Sequence, residues 1–375
     1  MAKRRKRLNK TRFLIFLLVV ASMIFGVIKF TQFLITTLGN KGVNFKRVNT
    51  IEYIKRKDEN RKVYIESFNQ YIFKFEQKKL HAYDKKGNML WEKTLDIDKV
   101  IVKGNKDNIV VVDCFGGKMY YIDYEGEIKT EHNFGKEIMD MKINDSGYAL
   151  VMLQEEVSVF NSHGESISNF TIPNGEVIDG DLSPDNITIA LTILVAEEKK
   201  FYSNILFYSL EGKVLAGKKF DNNVINKIFL ISDKSLLVLS ENSVLMLTSE
   251  NNILWEKKFE ETLNRGKLED NELLVLNLVM KKNTIIDTKN KNIIGGLDLN
   301  GNILYKIPVA GEVLGLDTIN DRIGVFTNRT IYIIDKKGNT ILEKKINKDI
   351  KNIYWISKEN LLVIYKDKLE VMEID

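Results

Sequence analysis

Cysteine, histidine and proline are nearly missing from this chain: 375 residues contain one Cys, three His and three Pro. A lone thiol, Cys114, excludes an intrachain disulfide, so stability must come from packing even outside a cell. It falls in the run 110–114, which reads as strand and gives the thiol a small buried role. His81, His132 and His163 are far apart, and none has a second His or Cys at metal-ligand spacing, so they read as ordinary strand or turn residues. Proline occurs only at Pro173, Pro184 and Pro308 while Lys, Asn and Ile are heavily used, the composition of an AT-rich bacterial genome. There is no Gly-rich phosphate loop, no HExxH and no nucleophile elbow. The pairs Gly116-Gly117 and Gly295-Gly296 stand beside strands and read as turns or bulges. Neither a cofactor nor a metal is expected.

Charge is unevenly spread. The chain carries +5, but seven cations (Lys3, Arg4, Arg5, Lys6, Arg7, Lys10 and Arg12) crowd the first twelve residues, and Lys29 adds an eighth. Removing those eight leaves the remainder at −3. A nucleic-acid footprint needs a net basic stripe, which the remainder as a whole lacks. Sixteen uncharged residues, Phe13 to Ile28, follow the basic block and would span roughly 24 Å as a helix. Lys29 interrupts them, but its stem can snorkel and the next nine residues are again uncharged. The sequence therefore predicts a cytoplasmic tail (1–12), a transmembrane signal anchor (13–38), a linker (39–47) and an exported domain (48–375). Cleavage after Val19-Val20-Ala21 is the rival reading, although apolar residues run on well past that site.

What is abundant is one repeated turn. Gly87, Gly126, Gly164, Gly212, Asn251, Gly301 and Gly338 each end one β-rich run and open another, at spacings of 39, 38, 48, 39, 50 and 37 residues. Three places earlier stands a short oxygen-bearing side chain: Asp84, Asp123, Asn161, Ser209, Thr248, Asp298 or Asp335. Such side chains bond the backbone just ahead of them, and Gly or Asn supplies the positive φ of a tight hairpin. Period-two apolar alternation flanks each turn. The period matches propeller blades of roughly 40–50 residues.

Four places after the turn residue come Trp91, Trp255 and Tyr305, replaced in the other copies by Thr130, Ser168, Ala216 and Leu342. Asp, turn Gly and then an aromatic resembles the docking motif of the PQQ-like (quinoprotein-type) β-propeller superfamily over residues 48–375. The resemblance implies that the indoles pack against the neighbouring blade. It also brings in the quinone-dependent enzymes, which stack the cofactor on a vicinal cysteine pair; with one cysteine that pair is impossible here. The resemblance further covers a propeller lipoprotein that scaffolds outer-membrane protein assembly, and so implies an adaptor's architecture.

The expected fold is all-β, a propeller of four-stranded blades. Three strands fit after Gly338 before the chain stops, and the segment 48–54 is left over at the other end. If it supplies the missing fourth strand there are eight blades and no open edge; if it lies outside there are seven. Blades four and six are overlong near 196–204 and 280–294, which would lengthen the loop between second and third strands. Lys199, Lys200, Phe201, Tyr202, Lys281 and Lys282 are the candidate partner contacts there, against a bland reading of drifting loop length. The function expected is a membrane-anchored extracytoplasmic scaffold binding an envelope protein, with glycan or small-ligand binding as the alternative and a quinone-dependent enzyme behind both.

Overall fold

The computed structural model describes residues 43–53, 63–280 and 291–374, and among them every regular element is a β-strand. They form eight four-stranded antiparallel sheets, each a meander of consecutive strands except the last. Seven blades run Tyr64–Thr94, Val100–Asn133, Ile138–Thr171, Glu176–Asp221, Ile225–Lys258, Thr262–Val309 and Gly315–Lys345. Blade 8 takes three strands from Asn352–Ile374 and its outermost from Phe45–Glu52, paired antiparallel to Lys368–Ile374. The ring thus closes between the two ends of the domain, which settles eight blades over seven and removes the free edge of the last sheet.

Burial follows position in the blade. Second strands such as Ile109–Asp113 and Ala149–Leu153 are buried throughout, because both faces are covered by neighbouring sheets. They read as continuous apolar runs for that reason. Outer strands such as Met89–Thr94 and Ile253–Lys258 alternate between exposed and half-buried. The core is accordingly a set of separate interfaces. Phe73, Phe75 and Leu80 of blade 1 pack on Val100, Ile109 and Val111 of blade 2, and Ile72 of blade 1 packs on Leu362 and Ile364 of blade 8.

Three local expectations need correction. The closing strand begins at Phe45, so Phe45–Arg47, assigned to the linker from sequence, is paired strand. A bulge between Arg47 and Asn49 leaves Val48 unpaired and 41% exposed, and that break in alternation hid the strand's first residues. Cys114 lies just past its strand, which ends at Asp113; it is buried, and its N–H donates to Lys99 O at 2.7 Å. The excess in blade 4 is not a loop: Thr188–Glu197 and Lys200–Ser209 are ten-residue strands paired to Glu197↔Lys200 at the tip. The segments 1–38 and 281–290, and with them the basic tail, the anchor, Lys281 and Lys282, lie outside the described residues. Among those described, no helix is long and apolar enough to cross a membrane.

Candidate functional site: turns, rim and central channel

The repeated turns are hydrogen-bonded devices that join blades. Asp84 Oδ1 accepts the N–H groups of Lys86 and Asn88 at 2.8 and 2.9 Å, and Gly87 N–H donates to Asp84 O. The same pair of bonds recurs at Asp123, Asn161, Asp298 and Asp335. Burial opposes the charge on Asp84 and Asp298, but the donors around each outweigh it and hold both carboxyls below their ordinary value. Gly87 has φ +81° and Asn251 +68°, and the ladder slips by one residue beside each of the seven turns, as a glycine bulge requires.

Each turn is then gripped by the blade before it. Trp91 lies over Gly126 and its Nε1–H donates to Tyr124 O at 2.7 Å; Trp255 lies over Gly301 and donates to Leu299 O at 2.9 Å. Tyr305 packs on Gly338. At two of the four copies that lack the aromatic, Thr130 donates to His163 O and Ser168 to Leu210 O, so there the hydrogen bond outlives the indole. Asn49, in the closing strand, donates to Lys86 O at 3.0 Å and completes the circle. Gly164 and Gly212 meet Thr130 and Phe170 in the same way.

On the rim, Lys199 sits at the tip of the blade 4 hairpin, with Lys200, Phe201 and Tyr202 opening its second strand. Phe201 is 40% exposed, and Lys219 Nζ stands 3.8 Å from the centre of the Tyr202 ring.

The channel was not foreseen from sequence. The inner strands of the blades face one another around the axis and turn charged side chains into a cavity of about 820 Å³. In blades 3 to 6 each inner strand carries a bulge immediately before a charged residue: Met139 before Asp140, Ile178 before Asp179, Asn226 before Lys227 and Asn264 before Arg265. A bulge re-aims the side chain that follows it. Lys142 lies 2.7 Å from Asp179 and 3.7 Å from Asp140, and Lys227 lies 3.3 Å from Asp179. Asp179 also accepts the Ile228 N–H at 3.0 Å, while Asp317 pairs with Lys267 and accepts the Trp355 N–H at 2.6 Å. These carboxylates therefore stitch one inner strand to the next. Burial pushes the Glu66 carboxyl up against the pull of Lys103, and it pushes Asp181 up to about 6. Burial opposes the charge on Lys142 too, but Asp179 and Asp140 prevail and raise it.

Arg265 is the exception: it is exposed to the cavity and makes no hydrogen bond or ion pair with any described residue. The charged inner-strand positions read in sequence like the solvent face of any amphipathic strand; the signal that marks them is a charge 14 or 15 residues after the preceding turn residue in four successive blades, at Asp140, Asp179, Lys227 and Arg265.

No group of three or more His, Cys, Asp or Glu suited to a metal occurs among the described residues. His81 is buried with Nδ1 3.3 Å from Lys74 O, and burial lowers its pKa; His132 Nε2 donates to Gly164 O; His163 is exposed in its turn. Burial raises the Cys114 thiol, which opposes thiolate chemistry.

Residues 41–374 match a protein family described as a family of unknown function, DUF5711. The chain belongs to that family. No curated protein matches this DUF5711 chain by sequence. Its fold is shared with solved propellers. BamB from Moraxella catarrhalis aligns over 88% of this chain and 100% of its own at 11% identity, with a TM-score of 0.59. The C-terminal WD40 domain of Sif2 aligns over 88% and 98% at 14% identity and a TM-score of 0.63. Sqt1 from Chaetomium thermophilum aligns over 88% and 100% at 12% identity and 0.60. At such identities the likeness concerns the eight-bladed fold and nothing finer.

Proposed function

We propose that this DUF5711 protein is a non-catalytic protein-interaction scaffold, held at the outer face of a membrane by its N-terminal segment and binding an envelope protein through the blade 4 rim. The observation that carries the reading is the hairpin formed by Thr188–Glu197 and Lys200–Ser209. It adds paired backbone beyond the five- to six-residue strands of most blades and ends in exposed Lys199, Lys200 and Phe201. A stiff arm on a closed ring presents a surface with little ordering cost on binding. The anchor rests on the basic block and the apolar stretch that follows it.

The test is affinity purification of the full-length protein from mildly cross-linked native membranes. It is run beside residues 1–47 fused to an unrelated domain, and beside a variant whose hairpin is trimmed to a blade 7 length. A partner recovered with the intact protein and lost with the trimmed one supports the scaffold. Equal recovery with all three proteins would sink it. Protease shaving of intact cells addresses topology, and a protected propeller would overturn the external placement. A second reading, binding of a small ligand, is favoured by the charged channel.

A further inference from the structure

We propose that the central channel is a binding site for a small ligand carrying an oxyanion, phosphate or carboxylate, with Arg265 as its principal contact and Lys351 as a second.

The cavity wall carries a surplus of positive charge. Five cations line it (Lys103, Lys227, Arg265, Lys267 and Lys351) against two carboxylates, Glu66 and Asp317. Each of those carboxylates is already engaged. Glu66 lies 3.5 Å from Lys103, and Asp317 holds Lys267 and the Trp355 N–H. Lys227 is matched by Asp179 from deeper in the wall. That leaves Arg265 and Lys351 as the lining cations with no ion pair to a described residue; Asp349, whose carboxyl Lys351 helps hold down, is itself paired to Arg329 at 2.7 Å. The surplus is local, because the chain beyond its N-terminal cations is net negative.

Geometry adds a second reason. The bulge at Asn264 falls immediately before Arg265, so the strand departs from regular pairing just where the guanidinium is presented. A guanidinium offers a planar fork of donors that matches a carboxylate or a phosphate two bonds at a time, and with no acceptor among the described residues its donors are left for one from outside. The volume, about 820 Å³, falls within the range of small-molecule sites and is too small for a folded partner. Low-dielectric walls focus the potential of the unmatched cations on the channel.

The test uses the full-length protein in detergent at low ionic strength, titrated calorimetrically with inorganic phosphate and, separately, with citrate. Saturable binding of at least one probe is expected, weakened tenfold or more by Arg265→Ala and by less in Lys351→Ala. Lys344→Ala, an exposed lysine on the outer strand of blade 7, should leave it unchanged. Arg265 makes no hydrogen bond or ion pair with a described residue, so Arg265→Ala should keep the parent's urea midpoint, and Arg265→Lys checks the fork by recovering only part of the affinity. No saturable binding of either probe overturns the proposal. So does binding that survives Arg265→Ala, or binding that Lys344→Ala weakens equally, which would mark diffuse surface attraction. Trimming the blade 4 hairpin should leave the affinity intact, which separates this site from the rim proposed above.

Discussion

Asn49 reaches from the closing strand of blade 8 to the turn of blade 1, its Nδ2–H donating to Lys86 O at 3.0 Å. The same kind of bond is made by Trp91 to Tyr124 O and by Trp255 to Leu299 O, so the seam of the ring uses the joint found between its other blades. Asn49→Ala should therefore destabilise the domain by about 1 kcal/mol, the net worth of one hydrogen bond, read as a lower urea midpoint. Faster amide exchange should concentrate in Lys368–Ile374, its pairing partner. Uniform acceleration across all blades would show that the seam is not a local unit.

Trp255 and Gly301 should couple energetically. A Cβ on Gly301 would stand 2.8 Å from Trp255 Cδ2, at a φ of +80° that side chains rarely adopt. Gly301→Ala should cost about 2–3 kcal/mol, part from the left-handed backbone and part from the clash. In a Trp255→Ala background only the backbone part remains, so the double-mutant cycle should show a coupling of about 1 kcal/mol. Trp255→Phe, which keeps a ring but loses the bond to Leu299 O, should cost about 1 kcal/mol.

Lys74 and Glu76 form an ion pair at 3.3 Å in the second strand of blade 1, with side chains 4% and 3% exposed. Both share a strand face with Ile72, which packs on blade 8. Removing Glu76 takes the carboxylate from a buried ammonium, so Glu76→Leu should cost about 3–5 kcal/mol, whereas Lys74→Met with Glu76→Leu should recover most of it. Chemical denaturation of the single and double variants decides this, and equal losses would contradict it.

Asp181 should make the domain less stable as pH rises. Burial lifts its carboxyl to about 6 in the folded chain from an ordinary 3.8. The folded state therefore binds more proton than the unfolded state between those values, and this group's contribution falls from about pH 4 to about pH 6. In Asp181→Asn, where an oxygen can still accept the Leu230 N–H, that component should vanish and stability at pH 7 should rise. Urea midpoints across pH 4–7 provide the check; an unchanged slope would remove Asp181 as its source.

The blades were legible because their determinants are local. A turn needs an oxygen-bearing side chain, a residue tolerant of positive φ and flanking alternation, and all three lie within a few residues of each other. The eighth blade followed from a remainder, three strands after Gly338 and one before Tyr64, since an open sheet edge is costly. Phe45–Arg47 escaped because the bulge at Val48 breaks the period that would reveal them. The blade 4 excess was placed correctly but taken for a loop, because the charged run at 197–200 has the composition of a tip and conceals the pairing on either side.

The order of strands, the repeated turns and the exclusion of disulfide chemistry were thus determined by sequence alone, through local sterics and a count of one cysteine. Tertiary structure alone decided the channel. Asp140, Lys142, Asp179, Lys227 and Arg265 sit on strands in four successive blades, and nothing within one blade distinguishes them from a solvated face. Only closure of the ring turns those faces toward a common axis. There their charges pair across blades, and Arg265 is left facing the cavity without a carboxylate partner among the described residues.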